Sequence, residues 1–389
     1  MRPTTTSTES TSQTQKEIRA RLLEPTEANL EICGKRIREG KLVAFPTETV
    51  YGLGADATNE KAVVSIFEAK ERPFTDPVIV HIADLDMLDK IFIDSKERTF
   101  IKQVGGILWP GPLTMIGPIN ESYIPPLVGS NTGTIGVRMP AHKLAQALIR
   151  VAQRPIAAPS ANKFMHVSPT KGVHVLDDLK YEDVYILDGE MSDLGVESTV
   201  IRVQWDSDHY KVSLMRTGTF EFKQIEAKIK ELFPNTEFVI AKKRVTNKET
   251  DVACAPGQLL KHYSPYVETF ILSHQKHRSA SGELNPMNLK LNEVGIIDFN
   301  KMNLELKDKV KLYFDLDESG DYNKAMKNLY NELRRFEETQ YGLKYIFLAN
   351  LQTVLKDHEL MMNTLADKTF RSAAGNEVFY DDSFNFFTA

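Results

Sequence analysis

The amino-acid sequence predicts an α/β protein with two units, a large mixed sheet with helices and a smaller, Rossmann-like C-terminal sheet. Short apolar segments typical of strands recur up to Met215, and helical segments lie between them without strict alternation. This mixture favours a mixed sheet over a doubly wound parallel one. A polar stretch over residues 242–265 then breaks the pattern, and a second strand–helix series begins at Thr269.

Hydrophobic periodicity separates the first unit into its elements. A helical period, with polar or glycine residues at its ends, predicts helices at residues 28–39, 61–70, 142–152 and 221–232. Compact apolar runs predict strands at residues 41–45, 77–82, 113–116, 134–139, 156–158, 184–187, 198–203 and 212–215. Polar turns follow several of these strands, so the reactive side chains there are held by rigid elements.

The second unit shows the same helical and strand patterns of apolar residues, with fewer predicted elements. Strands are predicted at residues 269–272, 294–299, 310–316 and 345–349, and a helix at residues 322–338. The helix carries one apolar stripe that is best explained as core. We therefore expect a disordered tail over residues 1–16, a first domain over 17–232, a linker or lid over 233–267 and a second domain over 268–389.

Composition and charge restrict the function. The chain has 389 residues with a net charge of −5, which argues against a protein whose main task is to coat nucleic acid. The two cysteines, Cys33 and Cys254, exclude a disulfide framework and a four-cysteine zinc site, and they fit a reducing compartment.

No segment has the roughly 20 apolar residues that a membrane span requires. We expect no membrane association and a cytoplasmic location. The start of the chain is rich in serine and threonine but has one arginine before Lys16, so delivery to mitochondria as well stays open.

Reactive residue types concentrate in six clusters, most of them at strand ends of the first unit. They lie at residues 45–54, 70–77 with His81, 133–140, 157–162 with 168–170, 195–199, and 216–218. In the second cluster, Lys70 and Arg72 end a helix, where they could simply complement its dipole. The two prolines that follow favour a loop that aims these cations. Arginine can hold phosphate or carboxylate with a planar fork.

Other patterns leave alternatives open. Gly52 and Gly54, with Ala57, could form a dinucleotide-binding loop, but they follow the strand late and such a lone match is weak. A histidine in a strand, such as His81, is more often structural. Arg138 lies in an apolar strand, where a charge is costly unless it meets a partner or ligand. The Val43–Asn162 stretch therefore predicts a polar, phosphate-handling site.

Taken in order, the motifs resemble the YrdC/Sua5 family of threonylcarbamoyl-AMP synthases. The matching segments are Phe45-Pro46-Thr47-Glu48-Thr49-Val50-Tyr51-Gly52-Leu53, Lys70-x-Arg72-Pro73 with Pro77 and His81, Trp109-Pro110-Gly111-Pro112-Leu113-Thr114, Val137-Arg138-Met139-Pro140, Pro159-Ser160-Ala161-Asn162 and Gly195-Val196-Glu197-Ser198-Thr199. Pro256-Gly257, Lys261-His262-Tyr263-Ser264-Pro265 and the second strand–helix series resemble the longer, two-domain Sua5 form. The resemblance covers about residue 17 to the end and implies a YrdC-like twisted mixed sheet.

The resemblance implies that L-threonine, bicarbonate and ATP give threonylcarbamoyl-adenylate and pyrophosphate. The product would supply the t6A modification of tRNA through a downstream transfer machinery, and direct tRNA binding stays open. A carbamate oxygen would attack the α-phosphate, which needs positioning and charge neutralisation more than a covalent nucleophile. Mg²⁺ would bridge the triphosphate, and the sequence assigns it no protein ligand.

Residue roles carry over from the resemblance. The residues implied to neutralise the polyphosphate in catalysis are Lys70 and Arg72. Those implied to bind ATP are Arg72, Asp76, Thr134, Ser160, Asn162, Ser168, Arg216 and Tyr263, the last as part of a lid. Those implied to bind threonine are Thr49, His81, Arg138, Ala158 and Ser198. This chain departs from the family in having Asp76 where asparagine is usual, and in lacking the frequent Ser-Gly in the loop over residues 163–167.

Three rival functions come from other classes. The same fold could grip double-stranded RNA without adenylylation, against which the net charge weighs. A carbamoyl-transferring relative of the hydrogenase-maturation type needs zinc fingers, which two cysteines cannot supply. A dinucleotide oxidoreductase would rest on the glycines alone.

Overall fold

The protein is described by a computed structural model over residues 17–241, 262–277, 284–351 and 360–388, with the backbone alone at 360–363. The predicted tail over residues 1–16 and most of the predicted linker, residues 242–261, lie outside the described residues. The rest of the chain forms two sheets with helices.

The first sheet has eleven strands in the order β1-β8-β2-β3-β7-β4-β6-β5-β9-β10-β11. Their bounds are β1 Arg21–Leu23, β2 Leu42–Phe45, β3 Gly52–Asp56, β4 Ile79–His81, β5 Leu113–Pro118, β6 Thr134–Arg138, β7 Ile156–Ala157, β8 Val184–Leu187, β9 Thr199–Asp206, β10 His209–Arg216 and β11 Glu237–Ile240. The sheet contains parallel pairs, such as β4 with β6, and antiparallel pairs, such as β2 with β3. The predicted mixed sheet is confirmed.

The helices of this unit are α1 Glu27–Arg38, α2 Glu60–Lys70, α3 Leu88–Ile91, α4 Lys96–Leu108, α5 Lys143–Ala152, α6 Gly172–Leu179 and α7 Phe222–Leu232. Local capping explains several starts: Thr26 accepts a hydrogen bond from the Asn29 amide at the start of α1, and Ser95 accepts one from the Arg98 amide at the start of α4. The buried faces of these helices cover the sheet and form its apolar core.

The strand over Gly52–Asp56 corrects one alternative from the sequence. Both glycines lie inside β3, which pairs with β2 and β7, so they do not form a loop around a dinucleotide. A Cβ at Gly54 would lie 2.7 Å from both Ile156 and Phe45. Gly54 therefore allows close packing at the centre of the sheet.

The second sheet has seven strands in the order β13-β18-β17-β12-β16-β14-β15. Their bounds are β12 Glu268–His274, β13 Asn285–Met287, β14 Val294–Asp298, β15 Leu312–Asp315, β16 Tyr345–Ala349, β17 Glu377–Tyr380 and β18 Phe386–Thr388; the helices are α8 Tyr322–Phe336 and α9 Leu360–Ser372. The five consecutive strands from β17 to the edge strand β15 are parallel, as in a Rossmann-like sheet. The apolar stripe of α8 is core, as expected.

The first sheet extends beyond residue 232, where we placed the start of the linker. Residues Glu237–Ile240 form the edge strand β11, which pairs in parallel with β10. The apolar run over residues 238–240 was a signal for this short strand that we did not use. Helices α4 and α6 and the strands β1, β17 and β18 were also missing from our expectations.

The two units meet at a buried polar cluster beside α6. The Nδ1 of His166 lies 2.9 Å from Asp178, and its Nε2 lies 3.0 Å from Glu337 at the end of α8. Burial lowers the pKa of His166, but its hydrogen bonds with the two carboxylates outweigh burial, and the net shift is upward. Arg334 of α8 also pairs with Asp178 at 2.9 Å.

Candidate active site

A cleft at the ends of the central strands of the first sheet has about 560 Å³ of space between its walls, including a part that is open to solvent. It is polar on several sides, and residues of the first unit form most of its wall. The predicted site residues that line it are Thr49, Arg72, His81, Arg138, Ala158, Ser160, Ser198, Arg216 and Tyr263. The structure thus brings together residues that lie up to 214 positions apart in the sequence (Thr49 to Tyr263).

Arg138 ends β6 and is held in place by three partners. Its Nη1 donates to Thr49 Oγ1 at 2.8 Å, its Nε donates to the Gly111 carbonyl at 3.2 Å, and its Nη2 lies 2.6 Å from Glu48 Oε1. The Arg138 and Glu48 side chains are only 4% and 8% exposed. A guanidinium fixed in this way can present its remaining N–H groups to a carboxylate without reorganisation.

Glu48 is a partner that we did not predict from the sequence. Burial alone would raise the pKa of its carboxyl, but the charge and hydrogen bond of Arg138 outweigh burial and the pKa is lowered. Glu48 therefore stays ionised and balances the charge of Arg138. It follows Thr47 in the same turn, where the Thr47 hydroxyl donates to the Val50 carbonyl at 2.6 Å and shapes the backbone.

His81 lies beside Arg138, because β4 and β6 pair in parallel with these two residues in register. Burial, followed by the nearby charge of Arg138, lowers the pKa of His81 to about 3. The imidazole is therefore neutral at physiological pH. It lines the cleft as a polar, uncharged group and is not suited to be a general acid at pH 7.

Arg216 ends β10 and also lines the cleft. Its Nη2 donates to the Ser198 carbonyl at 3.0 Å and to Ser198 Oγ at 3.1 Å. The Ser198 hydroxyl also lies 2.8 Å from Thr114 Oγ1, so its position is fixed from two sides. A Cβ on Gly218 would lie 2.3 Å from the Ser198 backbone, which explains the glycine two residues after this arginine.

Arg72 reaches the cleft from the loop after α2. Its Nε donates to the Asp76 carbonyl at 3.0 Å, and its Nη2 donates to the Pro77 carbonyl at 2.8 Å. Asp76 pairs with Arg72 Nη2 at 2.9 Å. Burial lowers the pKa of Arg72, with Asp76 and Tyr263 opposing and Arg216 adding to this effect. Asp76 does not line the cleft. It lies behind Arg72, where its charge orients the guanidinium.

Lys70 is also behind the wall. Its Nζ donates to the carbonyls of Ser160 and Asn162, the first at 2.6 Å, and its side chain is buried. Burial, followed by the charge of Arg72, lowers the pKa of Lys70 well below its usual value. In this geometry Lys70 holds the turn after β7, and the predicted contact with polyphosphate stays a prediction.

Three further predicted residues lie outside the cleft wall. Asn162 donates from Nδ2 to the carbonyls of Lys163 and His166 at 2.7 and 2.8 Å. Ser168 donates to Glu197 Oε1 at 2.8 Å. Thr134 lines a smaller pocket of about 240 Å³ that shares residues 77–79 with the cleft. Their roles in ATP binding remain predictions.

Glu197 and His262 line the cleft but were absent from our predicted site. Burial would raise the pKa of Glu197, but the charges of Lys368 and Arg216 outweigh burial and the pKa is lowered. Burial, followed by the charge of Arg371, lowers the pKa of His262 well below its usual value. Glu197 lies inside one of the motifs given above, and His262 directly precedes Tyr263. Their positions within these motifs were the signal that could have predicted them as site residues.

The residues that the structure describes contain no group of three or more His, Cys, Asp and Glu side chains arranged to hold a metal ion. Over the same residues, no helix is long and apolar enough to cross a membrane.

Two family models match the chain, one for each unit. The model of the Sua5, YciO and YrdC proteins, described as "Telomere recombination", matches residues 35–218. The model described as "Threonylcarbamoyl-AMP synthase, C-terminal domain" matches residues 220–374. The chain belongs to the YrdC/Sua5 family. Both halves of the two-domain Sua5 form are present in it.

Similar proteins with curated names are called threonylcarbamoyl-AMP synthase. The one from Pyrococcus abyssi is 42% identical over 63% of this chain and 68% of its own length. The one from Bacillus subtilis is 42% identical over 59% and 62%, and the one from Schizosaccharomyces pombe is 33% identical over 75% and 76%. A crystal structure of P. abyssi Sua5 complexed with L-threonine has a TM-score of 0.73 and 31% identity, over 92% of this chain and 98% of that one.

Proposed function

We propose that this protein is an L-threonylcarbamoyladenylate synthase, a nucleotidyltransferase that uses L-threonine, bicarbonate and ATP and releases pyrophosphate. The observation that carries the proposal is that three buried guanidiniums, from Arg72, Arg138 and Arg216, line one cleft from separate elements. Such a cleft suits a substrate pair that brings a carboxylate and a triphosphate together. The names of the relatives support the same reaction.

We assign the two ends of the cleft to different substrates. Thr49, His81, Arg138, Ala158 and Ser198 would hold threonine, with Arg138 pairing its carboxylate. The L-threonine complex of the similar P. abyssi protein supports threonine as the amino-acid substrate. Arg72, Ser160, Arg216 and Tyr263 would hold the nucleotide at the other end, and Asp76, Thr134, Asn162 and Ser168 would shape the wall behind it.

The reaction needs one new bond to phosphorus. Threonine and bicarbonate form a carbamate with the loss of water. An oxygen of the carbamate attacks the α-phosphorus of ATP, and the bond between that phosphorus and the leaving pyrophosphate breaks. Negative charge grows on the phosphate oxygens and the leaving group, where Arg72 and Arg216 would stabilise it. Mg²⁺ would enter with the triphosphate, whose oxygens are ligands that this ion prefers. The product would be passed to tRNA-modifying enzymes for t6A formation, most simply in the cytoplasm.

Pyrophosphate release from ATP tests the proposal directly. We expect release only when both threonine and bicarbonate are present, and release that needs neither would overturn the assignment. Arg72→Ala should abolish turnover, since a lost charge-assisted contact costs about 2–4 kcal/mol in the transition state. Arg98→Ala is a matched control, because Arg98 lies on α4, pairs with the exposed Asp94 and does not line the cleft.

Arg138→Ala separates the two ends of the cleft. We expect it to raise the KM for threonine much more than the KM for ATP, because Arg138 lies at the threonine end. An effect confined to ATP would contradict this arrangement.

A further inference from the structure

A lysine of the second unit reaches the wall of the cleft. Lys368 lies on α9, and its side chain is 0% exposed. Its Nζ lies 3.1 Å from the phenol oxygen of Tyr263 and 3.3 Å from Glu197 Oε2. Tyr263 and Glu197 both line the cleft. A charged group that is completely buried is costly, so this placement calls for a reason.

Glu197 is the counter-ion of Lys368 and is itself fully engaged. Its Oε1 accepts from the Ser168 hydroxyl at 2.8 Å, and its Oε2 accepts from the Tyr330 hydroxyl at 3.1 Å. Glu197 therefore joins a residue of the first unit to two residues of the second. Its neighbour in the sequence, Ser198, also lines the cleft and accepts a hydrogen bond from Arg216.

Tyr263 is held on several sides by groups of the second unit. Lys368 Nζ lies 4.4 Å from the centre of its ring, and the Tyr330 ring stacks on it with centroids 5.3 Å apart. The backbone of Tyr263 has φ +63, a left-handed conformation that costs energy in a residue with a side chain. Such a conformation persists only where the surroundings enforce it.

We propose that Lys368 is a positioning residue of the active site, which fixes Tyr263 and Glu197 so that the nucleotide end of the cleft keeps its shape. The second α/β unit then takes part in binding ATP without touching threonine. The proposal rests on the proposed function for the identity of the nucleotide. It assigns Lys368 no contact with substrate, since its ammonium is buried behind Tyr263 and Glu197.

The first test compares Lys368→Met with Lys368→Arg. Equilibrium binding of a non-hydrolysable ATP analogue is measured by calorimetry, and the KM values for ATP and threonine come from pyrophosphate release. Lys368→Met should weaken the analogue about tenfold, because Tyr263 loses the hydrogen bond that holds it in place and must then be ordered when the analogue binds. The KM for threonine should change less than about twofold, because the threonine end has no contact with Lys368.

Lys368→Arg should keep most of the affinity for the analogue, since arginine keeps the positive charge and a hydrogen-bond donor. Equal losses for ATP and threonine, or no loss at all, would overturn the proposal.

Lys344→Met is the matched control. Lys344 belongs to the same unit, is 64% exposed and pairs with Glu293 at 3.1 Å, away from the cleft. The Lys344→Met variant should bind the ATP analogue as tightly as the unchanged protein does.

Lys368→Met leaves the Glu197 carboxylate buried without its cation and could impair folding. The double variant Lys368→Met/Glu197→Gln removes both charges and avoids this cost. It should melt close to the unchanged protein but still bind the analogue about tenfold more weakly, because Tyr263 has lost its donor. Full affinity in a folded double variant would show that Lys368 serves folding alone and would overturn the proposal.

The calorimetric experiment also separates this inference from the function itself. If the unchanged protein binds the analogue but releases no pyrophosphate with threonine and bicarbonate, the proposed reaction fails while the Lys368 comparison still holds. If it turns over normally and Lys368→Met matches it in both KM values, the reaction stands and the inference fails.

Discussion

Arg334 of α8 ties the second unit to the first through one buried carboxylate. Its Nη1 and Nη2 donate to the two oxygens of Asp178 at 3.1 and 2.9 Å, and Nη1 also donates to the His174 carbonyl at 3.3 Å. The Arg334 and Asp178 side chains are only 6% and 4% exposed. Because His166 and the Lys163 backbone amide also contact Asp178, this carboxylate would keep two partners without Arg334.

We expect Arg334→Met to lower the free energy of unfolding by about 3 kcal/mol, the lower end of the usual cost of removing one partner of a buried ion pair. The remaining contact between His166 and Asp178 offsets part of the loss. Urea unfolding at pH 7, followed by circular dichroism, measures the change. Arg335→Met is the control, because Arg335 is 30% exposed and pairs with Glu332 within the same helix. Arg335→Met should lower the free energy of unfolding by about 1 kcal/mol or less.

The double variant Arg334→Met/Asp178→Asn tests the reason for the effect. If the cost comes from an unpaired buried charge, removing that charge as well should recover stability relative to Arg334→Met. A loss below about 1 kcal/mol in Arg334→Met, or no recovery in the double variant, would refute the reasoning.

Three more variants test other features of the structure. Because the pKa of His166 is raised in the fold, its stabilisation is complete below the unfolded value of about 6.5 and is lost as pH rises through the folded value. His166→Asn should therefore lose more stability at pH 5.5 than at pH 8.5 in urea unfolding, and the reverse order would exclude this role. Glu48→Gln removes the counter-ion of Arg138, and we expect a higher KM for threonine with little change in the KM for ATP. Equal shifts in the two KM values would contradict this role of Glu48. Gly218→Ala should cost about 1–3 kcal/mol and reduce turnover, because the added carbon meets backbone; normal unfolding and turnover would show that the backbone yields freely.

The sequence predicted elements best where an apolar run was bounded by turn residues. The strand at residues 184–187 has that form, and it is β8 in the structure. The strand at Gly52–Asp56 does not, since glycine and aspartate are poor strand formers, and only pairing with β2 and β7 makes it a strand. Helix α4 did carry a usable signal, a serine cap followed by an amphipathic period, which we did not apply.

Some residues of the candidate site could be predicted from the sequence, and others could not. Arg72 and Arg138 could be chosen from the sequence because a cation in an apolar setting is conspicuous, and both line the cleft. Lys368 could not be chosen, because it is one of several lysines in the C-terminal half, and its contact with Glu197 spans 171 positions of the chain. Contacts of that separation depend on how the two sheets pack, which local patterns do not encode.

The pairing of β4 with β6 has a consequence for how the site tolerates change. His81 and Arg138 are neighbours because the backbone ladder places them opposite each other. A shift of the ladder by one residue would turn one of the two side chains to the other face of the sheet. The spacing between these two groups is therefore a property of the main chain. Substitutions around them can alter fine positions, whereas inserting a single residue within either strand should separate the pair completely.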